Sequence, residues 1–325
     1  MPDGRRRKLI KLAVGVAPLW SLSVRAQRPR VARIGALYLG IADGDSFKKE
    51  LREGLRQLGY AEGQNLVLEF RSADGRPERL PQLADELVKL KVDVIVALYV
   101  PCALAAKQAT SDIPIVILAG DPVETGIVPS LARPGGNVTG MSLMAAASNG
   151  KSVELFRDML PSMQRVGVLG HATNPVYAKA MLDEVMLAGN RTAIKIHPVA
   201  MVRGPEDLES AFAMLARERA DALVVQGSLS IQPVADLAIK YRMPAASTPR
   251  AFADIGGLMS FGADGPTTVR QAVKFVHEIL RGKAPKDMPI EQPTKYELAI
   301  NLKTAKSIGV SIPQAFALRA DAVIE

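Results

Sequence analysis

The sequence predicts an α/β protein made of two doubly wound, parallel-sheet lobes. Short apolar runs rich in Val, Ile and Leu alternate with longer segments of helical spacing, the rhythm of strand–helix–strand units. The runs VDVIVAL (92–98) and IPIVIL (113–118) are apolar on both faces, as strands covered by helices on either side must be. A chain of 325 residues suits about two domains, and the rhythm restarts after residue 143.

The elements follow in order. VARIGALY (31–38) is a buried strand, and DSFKKELREGLRQLG (45–59) puts Phe47, Leu51, Leu55 and Leu58 at helical spacing with Gly59 as its stop. NLVLEFRS (65–72) is the next strand. PERLPQLADELVKL (77–90) opens on Pro77 and aligns Leu80, Leu83, Leu87 and Leu90 on one face. The strand 92–98 leads into a short helix, CALAAKQAT (102–110), and the strand 113–118. Links this short imply right-handed crossovers. Beyond residue 143, GKSVELFRDMLP (150–161), NPVYAKAMLDEVMLAG (174–189), GPEDLESAFAMLARERA (204–220) and VADLAIKYR (234–242) read as helices. QRVGVLGH (164–171), TAIKIHPV (192–199), DALVVQGS (221–228) and PAAST (244–248) read as the strands between them. There is no sequence repeat, low-complexity segment or long linker.

Composition excludes several classes. Hydrophobic residues at 48% and charged residues at 23% are ordinary for a globular chain, and 5% aromatics argue against a nucleic-acid stacking platform. The net charge of +8 is mostly N-terminal: residues 1–26 hold six basic residues and one acid, leaving 35 basic and 32 acidic residues, or +3, in the rest. That segment has the form of a secretory signal. RRRKLIK is its basic region, LAVGVAPLWSLSV (12–24) its apolar region, and Val24 and Ala26 the small residues that direct cleavage after Ala26. Arg6 and Arg7 also resemble a twin-arginine export signal. No later apolar run approaches membrane-spanning length. Cys102 is the single cysteine, so no intramolecular disulfide forms, and it suits a small buried filler. His171, His197 and His277 have no metal-ligand spacing, and no Gly-x-Ser-x-Gly elbow occurs, so the sequence predicts neither enzyme nor cofactor.

The stretch SLARPGGNVTGMSL (130–143) concentrates glycine. A phosphate-cradling loop would place its glycines between a strand and a helix, with a Lys and a Ser/Thr following. Here they precede the β-type strip NVTGMSL, so the segment reads instead as a crossing between lobes, with Gly135 and Gly136 absorbing unusual dihedrals.

Several long segments carry a resemblance. They are LREGLRQLGYAEGQNLVLEFRSADG, LPQLADELVKLKVDVIVA, AAKQATSDIPIVIL, GDPV, SLARPGGNVTGMS, RERADALVV, GGLMSFG and EQPTKYELAINLKTAKSIGVSIP. From about Val31 to Glu325 the chain resembles the periplasmic substrate-binding proteins of ABC transporters, the family that includes tryptophan- and tyrosine-type binding proteins. The resemblance implies a type I periplasmic-binding fold with a three-segment hinge, near Asn137–Met141, Leu258–Gly262 and Lys286–Pro293. It implies a first lobe of 28–137 plus 262–286 and a second of 138–261 plus 287–325. It further implies a monomeric periplasmic protein that captures a small-molecule ligand by lobe closure and presents it to an inner-membrane ABC permease, with no nucleic-acid partner. A ligand-binding subunit of a membrane sensor shares this fold and is the alternative. A repressor of the same fold would carry a helix-turn-helix of about 60 residues ahead of the first strand, where this chain has the signal-like segment.

In open α/β sheets ligands bind beyond the carboxyl ends of the strands. The candidate ligand contacts are therefore Tyr38, Tyr99, Val100 and Asp121 from the first lobe, and His171, Asn174, Gln226, Ser247, Thr248 and Arg250 from the second. Thr139, Phe261 and Asp264 lie at crossovers. Each also has a structural role to weigh against this: Asp121 as a turn residue before Pro122, His171 or Asp264 as a helix cap, Arg250 as the tie of its own loop to an acid. Family members that hold amino acids tend to have Gly-Thr-Pro where this chain has Tyr99-Val100-Pro101, and Val cannot donate a hydrogen bond to a carboxylate. Ser247 and Phe261 replace common family tyrosines, whereas Arg250 matches and is able to take a carboxylate bidentately. The expected ligand is a small, partly apolar organic acid or amino-acid-like molecule, anchored by Arg250 and packed on Tyr38, Tyr99 and Phe261.

Overall fold

The two runs predicted as covered strands lie side by side inside the first of two sheets in the computed structural model of the chain, which describes residues 31–40, 44–172, 175–229 and 231–325. The expected export segment 1–26 and Asn174 lie outside the described residues. In the first half, β1 (Ala32–Tyr38), α1 (Gly44–Gln57), β2 (Leu66–Ser72), α2 (Leu80–Lys89), β3 (Val94–Leu98), α3 (Val100–Ala109), β4 (Ile115–Ala119) and β5 (Val138–Ser142) alternate strand and helix. α4 (Ala145–Met159), β6 (Arg165–His171), α5 (Pro175–Thr192), β7 (Lys195–Val202), α6 (Leu208–Arg217), β8 (Ala222–Val225), α7 (Gln232–Lys240) and β9 (Ala245–Ser247) repeat the pattern. The chain ends with α8 (Arg250–Asp254), β10 (Met259–Ala263), α9 (Gly265–Leu280), β11 (Tyr296–Asn301), α10 (Leu302–Ile308), α11 (Gln314–Ala317) and β12 (Ala322–Ile324).

The first sheet is wholly parallel, in the order β2-β1-β3-β4-β5. Leu80, Leu83 and Leu87 of α2 pack with Ile95 and Ile115 on one face, and Phe47, Leu51 and Leu55 of α1 pack with Ile34 and Val94 on the other. Full burial of each such side chain contributes about 1.5–3 kcal/mol. The second sheet has the order β12-β11-β10-β9-β8-β6-β7 and is parallel except where β11 runs antiparallel to β10. That reversal departs from a purely parallel pattern. It leaves the class unchanged: two parallel-dominated α/β sheets, each covered by helices.

The chain passes between the sheets three times. β5 pairs with β4, so residues 138–142 extend the first sheet, where the division expected at residue 137 assigns them to the second lobe. α9 returns to the first sheet and packs Val269, Val273 and Val276 into the core beside α1. β11 and β12 then rejoin the second sheet. Hydrogen bonds tie the passing segments together: Ser142 N donates to Glu291 O (2.8 Å), Glu291 N to Gly140 O (3.0 Å) and Asp264 N to Lys295 O (3.0 Å). Thr139 Oγ1, fully buried, donates to Met288 O at 2.8 Å. Gly140 has φ +131, and a Cβ there would sit 2.3 Å from Ile117 O on the neighbouring strand, so only glycine lets β5 approach β4. Gly135 and Gly136, read from the sequence as absorbing unusual dihedrals, have φ +66 and +57. Among the described residues no helix is long and apolar enough to cross a membrane.

Candidate functional site

Parallel strands deliver the N-termini of their following helices to the same edge of each sheet, and the two edges share one cleft. A cavity of about 320 Å³ lies there. Leu98 and Leu118 reach it from the ends of β3 and β4, and Thr248 and Ala263 from the ends of β9 and β10. Starts of helices complete it: Ser46 of α1, Tyr99 before α3, Ala145 of α4, Arg250 and Ala251 of α8, and Gly265 of α9. Helix starts bordering one space favour negative charge near it, and within the chain Asp121 already caps α4 and Asp264 caps α9. Phe47, Leu143, Pro266 and Val269 make much of the wall apolar.

The charged groups gather at one end. Arg250 donates from Nη1 to Glu297 Oε1 at 2.5 Å and from Nε to Asp254 Oδ1 at 3.1 Å. Partial burial works against its charge, but Asp254 and Glu297 outweigh burial and raise the guanidinium pKa. Asp264 caps α9, accepting from Thr267 N at 2.9 Å, with Lys295 Nζ 3.3 Å from its other oxygen. Burial pushes Asp264 up, yet the hydrogen bonds from Thr267 and the Lys295 charge hold it below the usual carboxylate value. Among the described residues the lining therefore pairs one cation, Arg250, with three carboxylates, Asp254, Asp264 and Glu297. An apolar body would fit with an ammonium toward the acids and a carboxylate toward the helix starts or Arg250.

Of the expected contacts, Tyr99, Thr248, Arg250 and Asp264 line this cavity. Val100 and Gln226 line a smaller one of about 30 Å³ beside it, which Tyr99 and Thr248 also border. Gln226 orients itself by accepting from His171 N (2.8 Å) and donating to Ser228 Oγ (3.0 Å). His171 lies farther along, on a cavity of about 470 Å³ with Arg76, Glu78 and Arg203. Among the described residues, the other expected contacts border none of these spaces. Tyr38 packs between Phe47 and Phe70, with ring centroids 5.9 and 6.4 Å away. Phe261 stacks on Tyr296 at 5.9 Å. Ser247 Oγ donates to Val225 O at 2.9 Å, fully buried, and Thr139 is bound into the crossing described above. Asp121 accepts from Ala146 N at 2.8 Å and caps α4; burial raises its pKa, against that hydrogen bond. Cys102 is buried in the first core.

Sequence reasoning missed Asp254, Glu297, Ala251 and Ala263. Asp254 had a signal, the i,i+4 spacing to Arg250 on a short helix. Glu297 had none, because it reaches the cavity only through the antiparallel pairing that sets it opposite Gly262.

The lining is testable at His171. Burial lowers its pKa below 6.5, with Glu78 acting the other way. The folded state then binds fewer protons than the unfolded state just below that value, so His171 lowers stability as pH falls through 6.5. Urea midpoints measured from pH 7.5 to 5.0 should fall more steeply in the wild type than in His171→Gln. Parallel curves would show that the imidazole is not held neutral.

Two parallel-dominated sheets, three crossings and a cleft collecting helix N-termini define a type I periplasmic-binding protein. The chain belongs to the family of ABC transporter substrate binding proteins, which it matches over residues 42–324. It is a substrate-binding protein rather than an enzyme. It is 28% identical over 270 residues to the tyrosine-binding protein of Clostridioides difficile, covering 81% of this chain and 76% of that one. A conserved domain protein from Vibrio cholerae shares 27% identity and superimposes with a TM-score of 0.82, covering 90% of this chain and all of that one. An ABC domain from Streptococcus pneumonia in complex with L-Trp superimposes with the same TM-score at 24% identity, covering 90% of this chain and 99% of that one.

Proposed function

We propose that this protein is the exported solute-binding component of an ABC uptake transporter, and that it captures an amino-acid-like or small, partly apolar organic acid ligand by closing its two lobes. One observation carries the reading. The 320 Å³ cavity takes its walls from the strand ends and helix starts of both sheets. A ligand touching both stabilises the arrangement that brings them together, by its differential affinity for that state. The tyrosine and L-Trp named for the two relatives support an amino-acid-like ligand with an apolar side chain. The acids around Arg250 suit its ammonium, and the helix starts its carboxylate. The inner-membrane permease would then read the closed shape, and the basic-apolar segment 1–26 would direct export to the periplasm.

The test uses the mature chain, 27–325. Aromatic and branched amino acids and aromatic acids are screened by thermal shift, and the best is carried into small-angle scattering. The expected result is a raised melting temperature and a smaller radius of gyration with ligand. An unchanged profile at saturation would refute closure. The intact mass of the protein in a periplasmic extract should match residues 27–325; an uncleaved form would refute export by this segment.

A further inference from the structure

We propose that Tyr99 sets the length of ligand the cleft accepts, as a wall between the main cavity and its continuation. The proposal rests on the reading of the cleft as the ligand site. Tyr99, Leu143, Ala145 and Thr248 border both the 320 Å³ cavity and the 30 Å³ cavity. Tyr99 is the largest of the four and is the one whose backbone is unusual, at φ +75 and ψ 159. That region is otherwise occupied almost only by glycine. Two contacts hold it there: Tyr99 N donates to Leu118 O at 2.7 Å, and Tyr99 O accepts from Ala103 N at 3.0 Å. The residue also packs against the cores on both faces of the first sheet. A ring rooted in a backbone pinned on both sides cannot retreat by a backbone shift without breaking β3 or α3.

Beyond the wall the space does not end. The small cavity reaches Ser228, which also borders the 470 Å³ cavity at His171. Removing the Tyr99 ring joins the first two spaces and opens a way to the third. The wild type is therefore built for a compact ligand with one ring or a short chain, and it excludes longer homologues of the same head group. Tyr99 holds a conformation suited to glycine, at a cost in backbone strain, where it borders both cavities.

The experiment uses two homologous series as probes, the 2-amino-n-alkanoates from 2-aminobutyrate to 2-aminodecanoate and the ω-phenylalkanoates from benzoate to 6-phenylhexanoate. Affinities are measured by calorimetry for the full mature chain and for Tyr99→Phe, Tyr99→Gly and Tyr99→Ala. The wild type and Tyr99→Phe should share one length cut-off. Tyr99→Gly and Tyr99→Ala should bind members at least two methylenes longer, with a tenfold or greater gain for the longest. Tyr99→Gly should also unfold at higher urea than Tyr99→Ala, since only glycine relieves the backbone; should the Gly variant fail to fold, Tyr99→Ala carries the length comparison. An unchanged cut-off in the truncated variants overturns the proposal while Ala251→Trp, which fills the main cavity, still abolishes binding. Binding that survives Ala251→Trp, or no binding of any probe to any of these proteins, overturns the reading of the cleft and the length limit with it.

Discussion

Ala251→Trp should abolish ligand binding, weakening it at least about a hundredfold, or ~2.7 kcal/mol, while the chain stays folded. Ala251 stands at the first turn of α8 and lines the 320 Å³ cavity, and it is only partly buried. An indole there occupies the ligand's space without being forced into a packed core, where overpacking costs about 1–3 kcal/mol. Calorimetry with the compound found by thermal shift reads the affinity, and urea denaturation reads the fold. Retained affinity in a folded variant would place the ligand outside this cavity.

The second large effect concerns Arg250. Its side chain is 33% exposed and Glu297's 16%, so the pair is sheltered without being dry. If the ligand's carboxylate takes the guanidinium, Arg250→Ala removes a charged hydrogen bond and leaves Asp254 and Glu297 facing the ligand unneutralised. The expected loss is about 2–5 kcal/mol of affinity. Glu297→Gln separates the possible partners. It frees donors of Arg250, so affinity for a carboxylate held there should rise. It should fall if Glu297 itself holds an ammonium. Arg250→Ala with undiminished affinity would assign the guanidinium to tying α8 to β11 alone.

The sequence located this cleft better than it filled it. Tyr99 was legible because it follows the apolar run 92–98, Thr248 and Arg250 because they close and follow the short strand 244–248, and Asp264 because it lies at a crossover. Tyr38 and Ser247 also lie at strand ends, yet they turn inward, against Phe47 and Phe70 and against Val225 O, while Phe261, expected at a crossover, lies in the middle of β10 and stacks on Tyr296. Side chains alternate along a strand, so a one-residue difference in where it ends decides between cleft and core. Asp121 was read as a turn residue or ligand contact. The structure uses its carboxylate to cap α4, which begins at Ala145, five residues before the predicted start at Gly150. A cap supplied from 25 residues away leaves no local mark.

By itself the sequence determined the α/β class, the two covered sheets, the helix faces and the unusual dihedrals of Gly135 and Gly136. These follow from burial periodicity and glycine's backbone freedom, which act over a few neighbouring residues. The tertiary structure alone decided the antiparallel turn of β11 that brings Glu297 to Arg250, 47 residues away in sequence. It decided the return of α9 to the first sheet and the pinning of Tyr99 by Leu118 O into a glycine conformation. Each of these depends on the register in which distant strands pair, and register is fixed by the packed whole rather than by any window of residues.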